Sequence, residues 1–204
     1  MMEQTQQNVA YALSSKDAHV IRAVQTSKNL EAIFNLMFEQ TLEWYALHFP
    51  EIKTIIKDPQ AVLGLIIRGG LRSKITPEIV GQFYTDAGTI ERVVRAAKES
   101  NGGELDEKTL KAIQGVSQSA LQLKQEQVKL NELVSKQMVE LAPNFSELAT
   151  PMIAAQLLSK AGSLRHLAAL PSSTLQVLGA EEALFSHLKS RTNPPKHGFI
   201  FNHP

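Results

Sequence analysis

Residues 106–142, DEKTLKAIQGVSQSALQLKQEQVKLNELVSKQMVELA, form the longest regular segment of the chain and decide its fold class. Asp106 can cap a helix at its start, and Pro143 must end it. Positions alternately three and four residues apart are mostly apolar, which is typical of a coiled-coil seam. These positions are Ile113, Val116, Ala120, Leu123, Gln127, Leu130, Val134, Gln137 and Leu141.

A helix over this segment would be about 55 Å long and needs an antiparallel helical partner to bury its seam. Residues 29–48 carry a second apolar stripe at helical period, so they are the predicted partner within the chain. Asn29 is predicted to cap that helix, and Asp17 a separate helix before it. The seam glutamines, Gln127 and Gln137, either set the pairing register or lie at the wet edge of the seam.

The carboxy-terminal stretch, residues 161–204, is punctuated like a series of short helices. Gly162 can end one helix in a left-handed conformation, and Ser163 can cap the next. Ser173 stands three residues before Gln176, the spacing of a capping box, so another helix is predicted to begin there. Its free N–H groups would offer a phosphate or base-edge site near Ser172. Helix starts are also predicted at Asp58-Pro59, Thr76-Pro77 and Thr150-Pro151, where a capping side chain precedes proline.

A short basic strip follows the last predicted helix. From Ser186 to the end the chain carries Lys189, Arg191 and Lys196 and no acidic residue, around a turn made rigid by Pro194 and Pro195. These three cations can neutralise phosphates, and His197 can stack on an unpaired base. The alternatives are that Lys189 and Arg191 only complement a helix dipole and that His197 only bonds to the backbone of its turn.

Composition excludes several functional classes. The chain has 204 residues, a net charge of +1 and no cysteine, so we expect no general nucleic-acid coat, no disulfide framework and no thiolate metal site. No apolar run approaches a membrane span and the first residues lack the order of a signal peptide, so a cytoplasmic protein is expected. Neither the six histidines nor the adjacent Glu181 and Glu182 form a plausible catalytic or metal-binding arrangement, so we expect no enzyme and no cofactor.

Five segments carry a resemblance to a known family. They are SKDAHVIRAV (15–24), EWYALHFPEI (43–52), LAPNFSELAT (141–150), AGSLRHLAALPSSTLQVLGAEEALF (161–185) and NPPKHGFIF (193–201). In this order they resemble the Nop-domain proteins, the core proteins of archaeal box C/D ribonucleoproteins and their eukaryotic nucleolar and spliceosomal relatives. The archaeal form is the most similar.

The resemblance implies an all-α fold, in which a long antiparallel coiled-coil hairpin is followed by a compact helical Nop domain. The implied division is a loose tail over 1–15, the coiled-coil domain over 16–143 and the Nop domain over 144–204. Family members continue beyond the point matching Pro204, so the carboxy-terminal part of the Nop domain is expected to be missing. The amino-terminal domain that recruits the methyltransferase fibrillarin in relatives has no counterpart, so a fibrillarin partner is not expected.

The resemblance also implies the function: a scaffold in an RNA-methylating, rRNA-processing particle. Such a scaffold would bind a kink-turn box C/D RNA together with the small ribosomal-type protein already bound to that RNA. Two copies of the scaffold would pair through the coiled coil. The implied dimerisation residues are Ile113, Val116, Leu123, Leu130 and Val134. The implied RNA- and protein-binding residues are Arg165, Ser172, Ser173, Gln176, Gly179, Ala180, Glu181, Lys189, Arg191, Lys196 and His197.

Two positions depart from the family pattern near the expected RNA. Glu182 replaces a usual lysine, and Ala169 stands where some relatives place one. A different class of function therefore stays open: a coiled-coil protein-interaction module that has lost RNA binding.

Overall fold

A computed structural model describes residues 15–190 and 192–204, and this part of the chain is helical without any strand. The predicted all-α class is therefore confirmed. The helices in chain order are α1 (Lys16–Ala46), α2 (Ile52–Ile55), α3 (Pro59–Gly69), α4 (Pro77–Val80), α5 (Ala87–Glu99), α6 (Glu107–Leu141), α7 (Pro143–Ala149), α8 (Pro151–Ala161), α9 (Leu164–Ala169), α10 (Ser172–Val177) and α11 (Glu181–Ser190), with 3-10 turns at Arg72–Lys74 and Phe199–Asn202.

Helix α1 is one continuous helix, so the predicted break with a cap at Asn29 is wrong. The polar residues at this point are used within the helix instead of ending it. The Ser27 hydroxyl is buried and donates a 2.5 Å hydrogen bond to Asn131 Oδ1 on α6. A distant polar partner thus removes the local reason for Ser27 to leave the helical conformation.

Helix α6 begins and ends where the sequence predicts. Asp106 Oδ1 accepts hydrogen bonds from the N–H groups of Lys108 and Thr109, which is the expected cap. The buried stripe of α6 differs from the predicted seam at every second position. Its most deeply buried residues are Ile113, Ser117, Ala120, Gln127, Val134 and Met138, whereas Val116, Leu123, Leu130 and Gln137 are half-buried.

Polar residues occupy the seam positions that the hydrophobic pattern missed. Lys124 extends over the Phe34 ring, with its Nζ 5.5 Å from the ring centroid, and Asn131 bonds to Ser27. Both contacts join α6 to α1, so half-buried polar side chains contribute to the helix pairing beside the predicted leucines, which are also half-buried. Gln127 is 4% exposed, which places it inside the seam and not at a wet edge.

The chain divides into two compact units, each with its own core. The first unit comprises the chain up to Asn29 together with Gln127–Pro204. Within it, α1 and α6 run antiparallel, since Lys16 lies near Glu140 and Ser27 bonds to Asn131. Its buried core comes from α1, α6 and α8 and includes Val20, Val24, Val134, Met138, Ala154, Leu157 and Leu158.

The second unit, Leu30–Glu126, packs the other ends of α1 and α6 around α3 and α5. Phe34 of α1 shares a buried cluster with Leu63 of α3 and Ala120 of α6. A larger core includes Tyr45, Phe49, Ile52, Leu65, Ile66, Val93 and Ile113. The Tyr45 hydroxyl donates a 2.6 Å hydrogen bond to the Gly70 carbonyl, and burial of the phenol raises its pKa well above its ordinary value.

The three predicted proline helix starts occur where expected, but only one has the predicted cap. Asp58 accepts hydrogen bonds from the N–H groups of Gln60 and Ala61. The Thr76 and Thr150 side chains make no capping bond. Thr150 has a φ of 66°, in the left-handed region, so its backbone is not in the extended conformation from which a threonine caps.

The predicted division of the chain at 143/144 stays a prediction, because the compact units describe packing and not independent domains. The predicted loose tail over 1–15 lies, apart from Ser15, outside the described residues. Within the described part of the chain, no helix combines the length and apolarity needed to cross a membrane.

Candidate nucleic-acid interface

The carboxy-terminal helices begin with a turn held by local and distant bonds. Gly162 ends α8 with a φ of 82°, and the Ser163 hydroxyl accepts a 3.1 Å hydrogen bond from the His166 N–H, as predicted. The Leu164 N–H donates to Asp17 Oδ2 on α1 at 3.2 Å. This turn presents Arg165, a predicted RNA-binding residue, as an exposed side chain on α9.

The predicted capping box of Ser173 and Gln176 does not form. Helix α10 begins at Ser172 after Pro171, and its start has no side-chain cap. Gln176 uses its amide elsewhere: its Nε2 donates a 2.9 Å hydrogen bond to the Lys196 carbonyl. A long-range bond has replaced the local one, and it leaves Ser172 and Ser173 exposed.

Main-chain pairing fixes the Pro-Pro turn against α10. The Gly198 N–H donates to the Gln176 carbonyl at 2.8 Å, and the Phe199 N–H donates to the Leu178 carbonyl at 2.9 Å. We call these paired segments, 176–178 and 196–199, the clasp. A Cβ built on Gly198 would overlap the Leu178 carbonyl, so only glycine allows the two main-chain segments to approach this closely.

The Gly179–Glu181 loop is locked onto the clasp. Gly179 has a φ of 96°, and a Cβ there would lie 2.7 Å from the Phe199 ring. Its N–H donates to Glu181 Oε1 at 2.9 Å, and Lys160 Nζ lies 3.0 Å from Glu181 Oε2. Partial burial opposes ionisation of Glu181, but the bonds from Gly179 and Lys160 outweigh it and lower the pKa of this carboxyl.

Glu181 is therefore a structural member of the loop, with both carboxylate oxygens engaged. Ala180, the loop's central residue, is half-buried and donates its N–H to the Val177 carbonyl at 2.9 Å. Glu182, the residue that departs from the family pattern, is exposed in the first turn of α11.

Two lysines that the sequence did not single out complete this region. Lys28 of α1 places its Nζ 4.4 Å from the centroid of the Phe199 ring, a cation–π contact on the ring that packs against Gly179. Lys160 of α8 pairs with Glu181. No local pattern marks Lys28, because its partner lies at the other end of the chain, in a turn whose position depends on the fold.

The basic strip is exposed where the structure describes it. Lys189 lies in the last turn of α11, and Lys196 and His197 lie on the clasp. The His187 Nδ1 contacts the Thr192 carbonyl. The predicted contact Arg191 lies outside the described residues. Chemically, the surface offers cations and an imidazole on a fixed backbone, which suits phosphates and unpaired bases.

The predicted dimerisation residues fall into two groups. Ile113 and Val134 are fully buried within the single chain, so they stabilise its own packing. Val116, Leu123 and Leu130 are half-buried on α6, and whether they contact a second copy stays a prediction. As for metals, residues 15–190 and 192–204 hold no group of three or more histidine or carboxylate side chains placed to bind an ion.

The helices and the clasped basic turn define an all-α protein, and comparison with known proteins identifies the family. The Nop family model, described as "snoRNA binding domain, fibrillarin", matches residues 26–204. The chain belongs to the Nop family.

Curated relatives agree with this assignment. An uncharacterized NOP5 family protein of Methanocaldococcus jannaschii is 36% identical over 202 residues, covering 99% of this chain and 49% of that protein. Nucleolar protein 56 of Saccharomyces cerevisiae is 31% identical over 198 residues, covering 95% of this chain and 39% of that protein. Nucleolar protein 58 of the same yeast is 31% identical over 192 residues, covering 94% and 37%. The chain thus spans half or less of the length of these relatives.

Proposed function

We propose that this chain is an RNA–protein-binding scaffold of a box C/D-type ribonucleoprotein. It binds a kink-turn RNA together with the small ribosomal-type protein bound to that RNA. Membership of a family described by snoRNA binding supports the general role. The observation that carries the proposal is the clasp, which holds Lys196 and His197 exposed on a backbone fixed by Gly198, Phe199 and Gln176.

A fixed turn favours binding because little conformational entropy is lost when the ligand arrives. Lys196 can neutralise a phosphate, and exposed His197 can stack on a base that the kink-turn leaves unpaired. Lys189 adds a second exposed cation, and Arg191 stays a predicted third. The Gly179–Glu181 loop lies directly beside this turn through the Phe199 ring, so it belongs to the same proposed surface.

The test is a gel shift of a kink-turn RNA by this chain, with and without the small kink-turn-binding protein. We expect a shifted complex only when the small protein is present, and an affinity that falls steeply with salt. Lys196→Glu should weaken the complex by about tenfold or more, because it removes one phosphate contact and adds a repulsive charge. Lys111→Glu, the same change at an exposed lysine of α6 in the other unit, is the matched control.

The outcome also decides between the two classes of function. Glu182 is exposed beside the proposed surface, which favours the alternative of a protein-interaction module without RNA binding. For that module, the small protein would bind the chain without RNA, and salt would hardly change the affinity. Equal shifts for Lys196→Glu and Lys111→Glu would contradict the assigned RNA surface.

We further propose that two copies self-associate through the coiled coil. Apolar side chains on and directly after α1 support this, because Ile33, Leu36, Trp44 and Leu47 are all more than two-fifths exposed. Exposed apolar patches of this kind mark protein interaction sites. Light scattering at about 100 µM, well above the dissociation constant of an ordinary specific interface, should give the mass of a dimer. A strict monomer at that concentration would exclude the pairing.

A further inference from the structure

A groove with an unusual lining lies between α3 and α6 in the unit Leu30–Glu126. It has a volume of 640 Å³, within the range of binding pockets. Its floor is apolar and comes from Ala61, Gly64, Phe83 and Leu121. Gly64 gives the floor its shape, because a Cβ there would overlap the Phe83 ring.

Glutamine dominates the rim of this groove. Gln118, Gln122 and Gln125 follow one another on one face of α6, while Gln60 stands on α3 and Gln82 on the loop after α4. All five side chains are exposed. Each amide has two donors and an acceptor oxygen, which match the N–H and C=O groups of a polypeptide main chain.

The same face of α6 already uses a glutamine in this way. Gln114, one turn before Gln118, donates from its Nε2 to the main-chain carbonyls of Ile66 and Ile67 at 3.1 and 3.0 Å. These carbonyls belong to the last turn of α3, and the Ile66 carbonyl also accepts a hydrogen bond from the Gly70 N–H. Gln118 and Gln122 continue the row at helical spacing and present the same amide to the open groove.

The charges of the lining decide against a nucleic-acid occupant. Arg68 is the cation among the lining residues, and Asp58 is the acid. Both oxygens of Asp58 accept hydrogen bonds from the start of α3. A phosphate backbone needs several cations along its path, and this groove offers one. An uncharged chain that carries a single acidic group opposite Arg68 fits the lining better.

We propose that this groove binds an extended segment of a partner protein, uncharged except for one acidic side chain that pairs with Arg68. The glutamine amides bind the main chain of the segment, as Gln114 binds α3, and the Phe83–Leu121 floor takes an apolar side chain. This site lies in the unit that does not contain the clasp, and it goes beyond the RNA-binding function proposed above. Ordering several glutamine side chains costs entropy, so we expect a dissociation constant on the order of 10 µM.

The test begins with a selection of random linear peptides, displayed on phage, for binding to the whole chain. The peptide that binds best is then synthesised with a fluorescent label and used as the probe. Binding is measured by anisotropy for the wild type, for Gln118→Ala with Gln122→Ala, and for Gln40→Ala as a control at an exposed glutamine of α1. We expect a neutral peptide with one aspartate or glutamate. The double variant should lose about tenfold in affinity, the effect of removing two hydrogen-bonding amides, and the control should lose nothing.

The variant Arg68→Gln tests the same proposal independently. In the wild type the acidic peptide should bind more tightly than an analogue in which its aspartate or glutamate is replaced by asparagine or glutamine. This preference should disappear in Arg68→Gln. Enrichment of no peptide, or equal binding by the double variant and the wild type, overturns the proposal. So does displacement of the probe by oligouridylate, which would make the occupant an RNA. A change in oligomeric state caused by the double variant would likewise overturn it, since a second copy would then cover the groove.

Discussion

Helix starts capped by aspartate distinguish the two compact units, although the one-turn helices α2 and α4 of the unit Leu30–Glu126 have no side-chain cap. In the unit Leu30–Glu126, α3, α5 and α6 each begin after an aspartate whose carboxylate accepts hydrogen bonds from the next N–H groups. In the other unit, α7, α8 and α10 begin at or just after a proline without a capping side chain, and α9 alone of these four has a local cap, Ser163.

In this unit the turn before α9 and the end of α10 are held by residues far away in the sequence. Asp17 binds the Leu164 N–H, Gly198 and Phe199 bind α10, and Lys28 covers the Phe199 ring. The proposed RNA surface stands on these long-range contacts. The three longer helices that begin in one unit therefore start at local caps, whereas the clasp and the turn before α9 in the other unit depend on tertiary contacts, and single substitutions should separate the two.

The largest effect is expected for Gly198→Ala. The added Cβ overlaps the Leu178 carbonyl, so the clasp must open and lose its two main-chain hydrogen bonds. We expect a loss of about 3 kcal/mol in the free energy of unfolding of this unit, together with faster amide exchange over residues 196–199. Urea unfolding and hydrogen exchange measure both quantities.

Gly115→Ala is the control for that experiment. Gly115 lies within α6 with no atom within 4 Å of a built Cβ, so alanine should stabilise the helix by roughly 0.5–1 kcal/mol. If Gly198→Ala unfolded no more easily than the wild type, the clasp would not be the contact that holds the turn.

Features held by local contacts could be predicted from the sequence, whereas features held by long-range contacts could not. Helices α3, α6 and α9 could be placed because Asp58, Asp106 and Ser163 act on neighbours within three residues. The clasp could not, because Gln176 looks like half of a capping box until Lys196 is brought beside it by the fold. Lys196 was named from the basic strip, whereas Gly179 was named only through the family resemblance, and the reason for the glycine became visible with the Phe199 ring.

Hydrophobic pattern also misplaced half of the α6 seam for a physical reason. Leu123 and Leu130 are better candidates for burial than Lys124 and Asn131 when only apolarity is counted. Lys124 and Asn131 contact α1 because the Phe34 ring lies under the lysine ammonium and the Ser27 hydroxyl donates a hydrogen bond to Asn131 Oδ1. Such pairs need both helices to be aligned, so the spacing within one helix could not reveal them. The break predicted at Asn29 failed for the same reason.

A moderate effect is expected for Gly179→Ala. It separates the cost of backbone strain at a positive φ from the cost of an overlap with a neighbouring side chain. Gly179 and Gly162 both have positive φ values, but only Gly179 meets another side chain, the Phe199 ring. Gly162→Ala should therefore cost about 1 kcal/mol from backbone strain alone, and Gly179→Ala about 2 kcal/mol. Thermal unfolding of both variants gives the difference. Equal losses would mean that the ring moves aside freely and does not fix the loop.

A smaller contrast is expected between the two kinds of helix start. Asp58→Ala removes a carboxylate that binds two N–H groups of α3 and should cost about 1 kcal/mol. Ser173→Ala removes an exposed hydroxyl at a helix start that has no side-chain cap, and should cost less than about 0.5 kcal/mol. Urea unfolding of the two variants measures both losses in the free energy of unfolding. A loss for Ser173→Ala as large as that for Asp58→Ala would show that Ser173 does cap α10.

The smallest effect concerns pH and the long-range hydrogen bond that the Asp17 carboxylate accepts at the start of α9. The Ser15 hydroxyl stabilises the ionised carboxylate most, burial opposes ionisation, and the N–H groups of Leu164 and Ala18 favour it again, so the pKa of Asp17 is lowered below its ordinary value of 3.8. Stabilisation is therefore complete at pH values above that ordinary value, where the carboxyl of the unfolded chain is also ionised. It is lost as the pH falls through the lower pKa of the folded state, because protonation then removes the charged acceptor. Asp17→Asn should lower the unfolding midpoint in urea at pH 6 and leave it close to that of the wild type at pH 2. Glu39→Gln, at an exposed carboxylate on the same helix, should follow the wild type at both pH values. A constant difference between Asp17→Asn and the wild type across this range would show that the hydrogen bond to Leu164 does not depend on the charge.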